Sequence, residues 1–239
     1  MSYSDHRTPF TALPMETAEL LHSYCCAFTN LYGCIPLRDA LQIIRRQNPL
    51  LMLSEQQLKA FAKWINERED VDYGFVNPSD WEEDEESPVT MSWVLAASCI
   101  LEDADEYYNI IEQQGMLSYY VPPREELLRY DDEAYLLTQP PADALLAYLR
   151  DELKVPRAEA LIEDVRVELL YDYLPAEQIL MNHLSDGDYG FRGFQSNEQI
   201  THLLDSYAEL VRNVRRNVHR GHTLMEALGE CAPERKKKR

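Results

Sequence analysis

The sequence predicts a mainly α-helical protein in which three helices and a β-hairpin precede a longer series of helices. Three observations carry this expectation. Apolar residues recur at helical spacing over most of the 239 residues. The period shifts once, between about residues 73 and 99, to short runs rich in β-formers. Finally, 13 prolines cut the helical pattern into short lengths.

Taken in order, residues 17–31 set Leu20, Leu21, Tyr24, Cys25, Phe28 and Leu31 on one helical face, and Gly33 ends that helix. Pro36 suits the first turn of a second helix, about 36–48, with Leu37, Ala40, Leu41 and Ile44 inward and Arg38, Arg45 and Arg46 elsewhere. Ser54 with Gln57 forms a capping box for a third helix, about 54–68, whose buried face is Leu58, Phe61, Trp64 and Ile65. Tyr73 to Val76, the turn residues Asn77-Pro78-Ser79-Asp80, an acidic connection and Thr90 to Cys99 then predict a hairpin. Three helices followed by a hairpin is the order of a winged-helix domain, so residues 15–100 are expected to be winged-helix-like, after an N-terminal arm over 1–14.

The remainder is expected to be a multi-helix region over 101–231 with a basic tail over 232–239. Asp103 to Gln114 predicts a short helix ended by Gly115, and Tyr119-Tyr120-Val121-Pro122-Pro123 an extended connector into a helix over Arg124 to Leu137. Prolines 140, 141, 156 and 175 separate three further helices near 142–154, 157–173 and 176–184. Ser196 opens a long helix with Ile200, Leu203, Leu204, Tyr207, Val211, Val214 and Val218 as its stripe, ending at Gly221. Thr223 with Glu226 caps a last short one. One internal echo, Asp72-Tyr73-Gly74-Phe75 against Asp188-Tyr189-Gly190-Phe191, with Asn66 and Asn182 at matching offsets, raises the question of a duplication.

Charge is unevenly placed. The formal net charge is −19, of which residues 66–135 carry −17, whereas 205–239 carry +4. A surface that is nucleic-acid binding throughout is therefore disfavoured. The longest apolar run, Trp93 to Leu101, is nine residues, against the roughly 20 that a membrane-spanning helix needs, so no membrane association is expected. Five cysteines (25, 26, 34, 99 and 231) with no CxxC spacing fit reduced thiols in a cytoplasm.

No catalytic constellation stands out, and no cofactor or metal is expected. Phosphate-loop, GxSxG and HExxH patterns are absent. His219, His222 and Glu226 have metal-ligand residue types, but Gly221 breaks their helical face, which favours a capped turn. Cys25 and Cys26 are adjacent and diverge on a helix, His202 with Asp205 is a common helical pair, and Asp186 and Asp188 lack the EF-hand spacing. For nucleic acid, the candidate residues are Arg38, Arg45, Arg46, Lys59 and Lys63 on the second and third helices, with Arg212 and Arg216. A hairpin tip bearing Glu82 to Glu86 would be repelled by phosphates, which weighs against this use.

Several stretches are also familiar as a set. Asn30-Leu31-Tyr32-Gly33-Cys34-Ile35-Pro36-Leu37, Tyr119-Tyr120-Val121-Pro122 with Glu125-Glu126-Leu127-Leu128-Arg129-Tyr130, and Asn213, Arg215, Gly221-His222-Thr223 and Glu226 occur in this order. Together they resemble a family of uncharacterised proteins of Gram-positive gut bacteria and their mobile elements, many of which carry a C-terminal zinc-chelating SEC-C motif. Where that pattern has a Trp and a Gly-His-Thr-Pro turn, this chain has Asn217 and Leu224, and only Cys231 stands where the zinc module would lie, so metal binding does not carry over. Asn213, Arg215, Gly221, His222, Thr223 and Glu226 are expected instead to fix a structural corner where one helix stops and another starts.

The function expected is non-catalytic: binding of a protein partner with a basic surface through the acidic 80–86 region, with Trp81, Glu82, Glu83, Asp84, Glu85 and Glu86 as contacts. The alternative is a nucleic-acid-binding regulator using the second and third helices and the basic C-terminus.

Overall fold

The structure, a computed structural model, describes residues 13–81, 88–138, 142–171 and 174–231. It is mainly α-helical with one small antiparallel sheet. The chain falls into two compact units. The first takes the described residues up to Thr29, with Cys34–Ala104 and Val121–Asp131; the second takes Asn30–Gly33, Asp105–Tyr120 and the described residues from Asp132 on. The units therefore interleave along the chain, where contiguous domains meeting near residue 100 were expected: Gln47 donates through Nε2 to the Pro122 carbonyl (2.8 Å), tying residues beyond 120 to the first unit.

In the first unit α1 (Met15–Tyr32) buries Leu21, Tyr24, Cys25 and Phe28 as its spacing predicts. Strand β1 (Cys34–Pro36) follows, then α2 (Leu37–Gln47) and α3 (Glu55–Asn66). Both halves of the Ser54–Gln57 capping box are present: Gln57 N donates to Ser54 Oγ (3.2 Å) and Ser54 N to Gln57 Oε1 (2.9 Å). Strands β2 (Tyr73–Val76) and β3 (Val94–Ala97) form the expected hairpin, and β1 pairs on the other side of β3, giving the order β1-β3-β2. Three helices and a hairpin thus follow in the winged-helix-like order expected. The central strand, Val94-Leu95-Ala96-Ala97, is buried on both faces, which is why it reads as a continuous apolar run rather than an alternation. Asn66, at the end of α3, clamps β2 by donating to the Phe75 carbonyl (2.6 Å) and accepting from the Phe75 N–H (2.9 Å). The short α4 (Ser98–Leu101) closes the sheet, and α6 (Arg124–Leu127), which follows α5 (Ala104–Gln114) in the chain, belongs here too.

The second unit holds most of α5, then α7 (Glu133–Leu137), α8 (Asp143–Ala147), α9 (Ala158–Tyr171), α10 (Ala176–Ser185), α11 (Asn197–Asn213) and α12 (Leu224–Cys231). Its core joins Leu149, Leu161, Val165 and Leu169 to Ile179, Leu180, Leu203, Tyr207 and Leu210. The Tyr207 hydroxyl, fully inside, donates to the Ala176 carbonyl (2.7 Å), so the ring is buried without an orphan polar atom.

Four expectations change. The single helix over 124–137 is two, separated by a 3-10 turn (Leu128–Asp131), because Asp132 Oδ1 accepts from the Ala134 N–H (3.0 Å) and so begins a new helix. The helix near 142–154 loosens after α8 into a π-helical turn, Tyr148–Glu152. The long last stripe does not run to Gly221: α11 stops at Asn213, Val214 is extended, and Arg215 pairs with Thr223 in an isolated antiparallel bridge. Val214 and Val218 are buried in either geometry, so periodicity could not separate the two. Lastly, the echo is not a structural repeat. Gly74 lies in a strand, Gly190 in a turn at φ 73°, and Asn182 is exposed where Asn66 is a clamp. Among the described residues no helix is long and apolar enough to cross a membrane.

Candidate functional site

Two places gather the residues singled out by sequence: the wing beside α3, and the turn between α11 and α12. At the wing, Val76 pairs with Val94, and the connection between the two strands covers residues 77–93 in sequence. Its first part is a 3-10 turn, Pro78–Trp81, in which Asn77 Nδ2 donates to Asp80 Oδ1 (2.9 Å), an Asx-type contact that turns the chain. Trp81 ends this turn, and Glu82, Glu83, Asp84, Glu85 and Glu86 lie outside the described residues, as do the N-terminal arm up to residue 12 and the basic tail.

Between α3 and the wing is a cleft of about 890 Å³. Lys59 and Lys63, one helical turn apart on α3, line one wall, and Phe75, Val76, Pro88 and Trp93 line the other. The third helix thus presents its two lysines beside the root of the acidic connection rather than on an isolated basic face.

The other cations of the nucleic-acid set part company. Arg38 and Arg46 are exposed on α2. Arg45 directs Nε and Nη2 at the Leu53 carbonyl (3.0 and 2.7 Å), fastening the segment between α2 and α3. Arg212 is exposed and lies 3.7 Å from Glu209. Arg216 is 7% exposed and donates through Nε to the Leu169 carbonyl (2.9 Å) and through Nη2 to that of Leu174 (3.2 Å), so it is a structural residue with no reach to a phosphate. Because α11 ends before it, Arg212 and Arg216 share no helical face.

At the second place, Arg215 donates through Nη1 to the Gly221 carbonyl (3.0 Å) and to Glu226 Oε2 (2.7 Å), while its guanidinium lies 3.5 Å from the centre of the Tyr120 ring. Glu226 Oε2 also accepts from Thr223 N (2.9 Å) and Glu226 N donates to Thr223 Oγ1 (3.2 Å), completing the expected cap. Burial by itself would raise the Glu226 carboxyl. The Thr223 N–H and the Arg215 guanidinium outweigh it and hold the group below its ordinary value. His222 is buried, with Nε2 donating to the Ser118 carbonyl (3.1 Å). Gly221 sits at φ 78°, and a Cβ there would meet Leu31 Cγ at 2.8 Å and Tyr32 Cε1 at 2.9 Å. Asn213 is the exception: exposed on the last turn of α11, it bonds back to Glu209 and takes no part in the corner.

Arg220 was not among the residues expected at the corner. It adopts a left-handed conformation (φ 51°), donates to the Leu117 carbonyl, the Gly115 carbonyl (3.3 Å) and Gln114 Oε1 (3.3 Å), and stacks on Tyr119. Gln114, fully buried, links the Tyr32 and Asn217 carbonyls through Nε2. The adjacent tyrosines before the double proline were the available signal, since each stacks on one arginine of this turn. Burial, together with the charge of Arg216 and the neighbouring His222, pushes His219 down to about 4.

The remaining candidates are structural in their surroundings. Cys25 is fully buried, which pushes its thiol well up. Burial raises Cys26 to about 11, helped by Asp131 and Asp72, so neither is a ready thiolate. His202 stacks against Tyr148, with ring centres 4.2 Å apart. Asp186 and Asp188 are exposed, and the Asp188 carbonyl accepts from Arg157 (3.1 Å). Among the described residues no three His, Cys, Asp or Glu side chains converge as a metal site. Comparison with family models, with curated proteins and with solved structures finds no match.

Proposed function

We propose that this chain is a non-catalytic interaction protein that binds a protein partner with a basic surface through the acidic 80–86 region of its wing. One observation carries this reading. Val76 pairs with Val94 at the ends of β2 and β3, between which the 80–86 region lies in sequence, while Arg216, one of the cations expected to serve a phosphate partner, is buried and donates to the Leu169 and Leu174 carbonyls. Trp81 flanked by carboxylates combines apolar contact area with steering toward positive charge. A cytoplasmic setting and kinship with the Gram-positive family resembled by sequence belong to the same proposal; the thiols of Cys25 and Cys26 accord with a reducing compartment.

The winged-helix-like order favours a second reading, a nucleic-acid-binding regulator, for which Arg38, Arg46 and Lys63 remain exposed. Retention of the full chain on immobilised duplex DNA and on an immobilised basic protein, across a salt series, separates the two. Retention on the basic protein that is lost when Glu82 to Glu86 are changed to Gln is the expected result. Salt-sensitive DNA retention abolished by Arg38→Ala with Arg46→Ala overturns it.

A further inference from the structure

We infer that the cleft between α3 and the wing is a binding site for a small monocarboxylate with an apolar body. Its volume of about 890 Å³ falls in the range of small-molecule sites, roughly 300–1,000 Å³. The apolar body is called for by Phe75, Val76, Pro88 and the Trp93 ring, which make up most of the wing-side wall.

The carboxylate is called for by a surplus of donors. Trp93 is 8% exposed, and its indole Nε1–H is buried without an acceptor among the described residues. An unsatisfied buried donor of this kind is destabilising, and an acceptor on a ligand would relieve it. The neighbouring amides do not relieve it: Asn66 is engaged at both ends by the Phe75 backbone, and Asn77 donates to Asp80. Lys59 and Lys63 add two ammonium groups along the same cleft.

The single charge follows from the acids present. Glu67 and Asp80 also line the cleft, so two cations face two carboxylates. The lining therefore sums to zero and holds no net positive charge to balance a second negative charge, whereas one carboxylate can sit nearest the lysines and the indole N–H. The inference stands independently of any protein partner.

The test is isothermal titration of the full chain with sodium octanoate, with octanol and a pentaglutamate peptide as comparison ligands. Saturable octanoate binding is expected, weakened about tenfold in Lys59→Gln with Lys63→Gln and about three- to tenfold in Trp93→Phe, which keeps the ring and removes the donor. Lys59→Arg with Lys63→Arg should restore the wild-type value, which also guards against loss of fold as the cause. No saturable binding overturns the inference, as does octanol binding as well as octanoate. Octanoate affinity indifferent to the lysines, or lysine-dependent binding of pentaglutamate in place of octanoate, overturns it equally.

Discussion

Replacing Gly221 by Ala tests the corner directly. The backbone there is at φ 78°, which costs a residue with a Cβ roughly 1–2 kcal/mol. The added carbon would also lie 2.8 Å from Leu31 Cγ and 2.9 and 3.0 Å from Tyr32 Cε1 and Cδ1. Both neighbours are fully buried, so relief requires moving packed side chains, at a cost of about 1–3 kcal/mol. Gly187 supplies the control: its φ is 77°, but a Cβ would meet nothing within 4 Å, so Gly187→Ala carries the backbone cost alone. Gly221→Ala should therefore lose about 2–5 kcal/mol and Gly187→Ala about 1–2. At about 2–4 °C per kcal/mol for a chain of this size, the expected Tm losses are about 4–20 °C and about 2–8 °C. Thermal unfolding followed by far-UV circular dichroism reads both. Equal losses would refute the steric part of the reasoning, and an unchanged Gly221→Ala would refute the turn geometry itself.

Three further outcomes are expected. His219 has a folded pKa of about 4 against an ordinary 6.5, so the unfolded chain takes up the proton more readily. Its contribution to stability is therefore complete above about pH 6.5, falls as pH drops through that window and levels off below pH 4, by at most about 2 kcal/mol once partial solvent screening is allowed for. Urea midpoints of wild type and His219→Gln at pH 7 and 4.5 check it, and the variant should lose that slope. Glu226 acts in the same direction at lower pH, its depressed carboxyl contributing stability that is lost below the ordinary carboxylate value. Arg216→Met should cost about 2–4 kcal/mol in urea unfolding because it strands the Leu169 and Leu174 carbonyls, whereas Arg212→Ala should change stability by less than about 0.5 kcal/mol. Asn66→Ala should lose about 1–3 kcal/mol by freeing the Phe75 backbone, and Asn66→Asp, which keeps only the acceptor, should fall between it and wild type.

Much of the first unit was legible because its signals are local. A capping box is decided within four residues, and Ser54 and Gln57 form it as expected. The hairpin strands were visible from their β-forming runs, but β1 was not: Cys34-Ile35-Pro36 is three residues long and acquires strand character only by pairing with Val94-Leu95-Ala96. Arg45 and Arg216 were misread for a related reason. A surface cation and a cation donating to backbone carbonyls have the same one-letter code, and the carbonyls that claim these two lie 8 and 47 residues away.

By itself the sequence determined the mainly helical class, the order of three helices and a wing, the caps at Ser54 and Thr223, and the concentration of negative charge between residues 66 and 135. Those properties follow from periodicity, side-chain reach over one turn and composition. Only the tertiary structure decided that α11 stops at Asn213, that Arg215 and Arg220 stack on Tyr120 and Tyr119, and that Lys59, Lys63 and the buried Trp93 share one cleft. Each of these depends on which distant backbone groups and rings meet a given side chain, and burial converts that meeting into free energy.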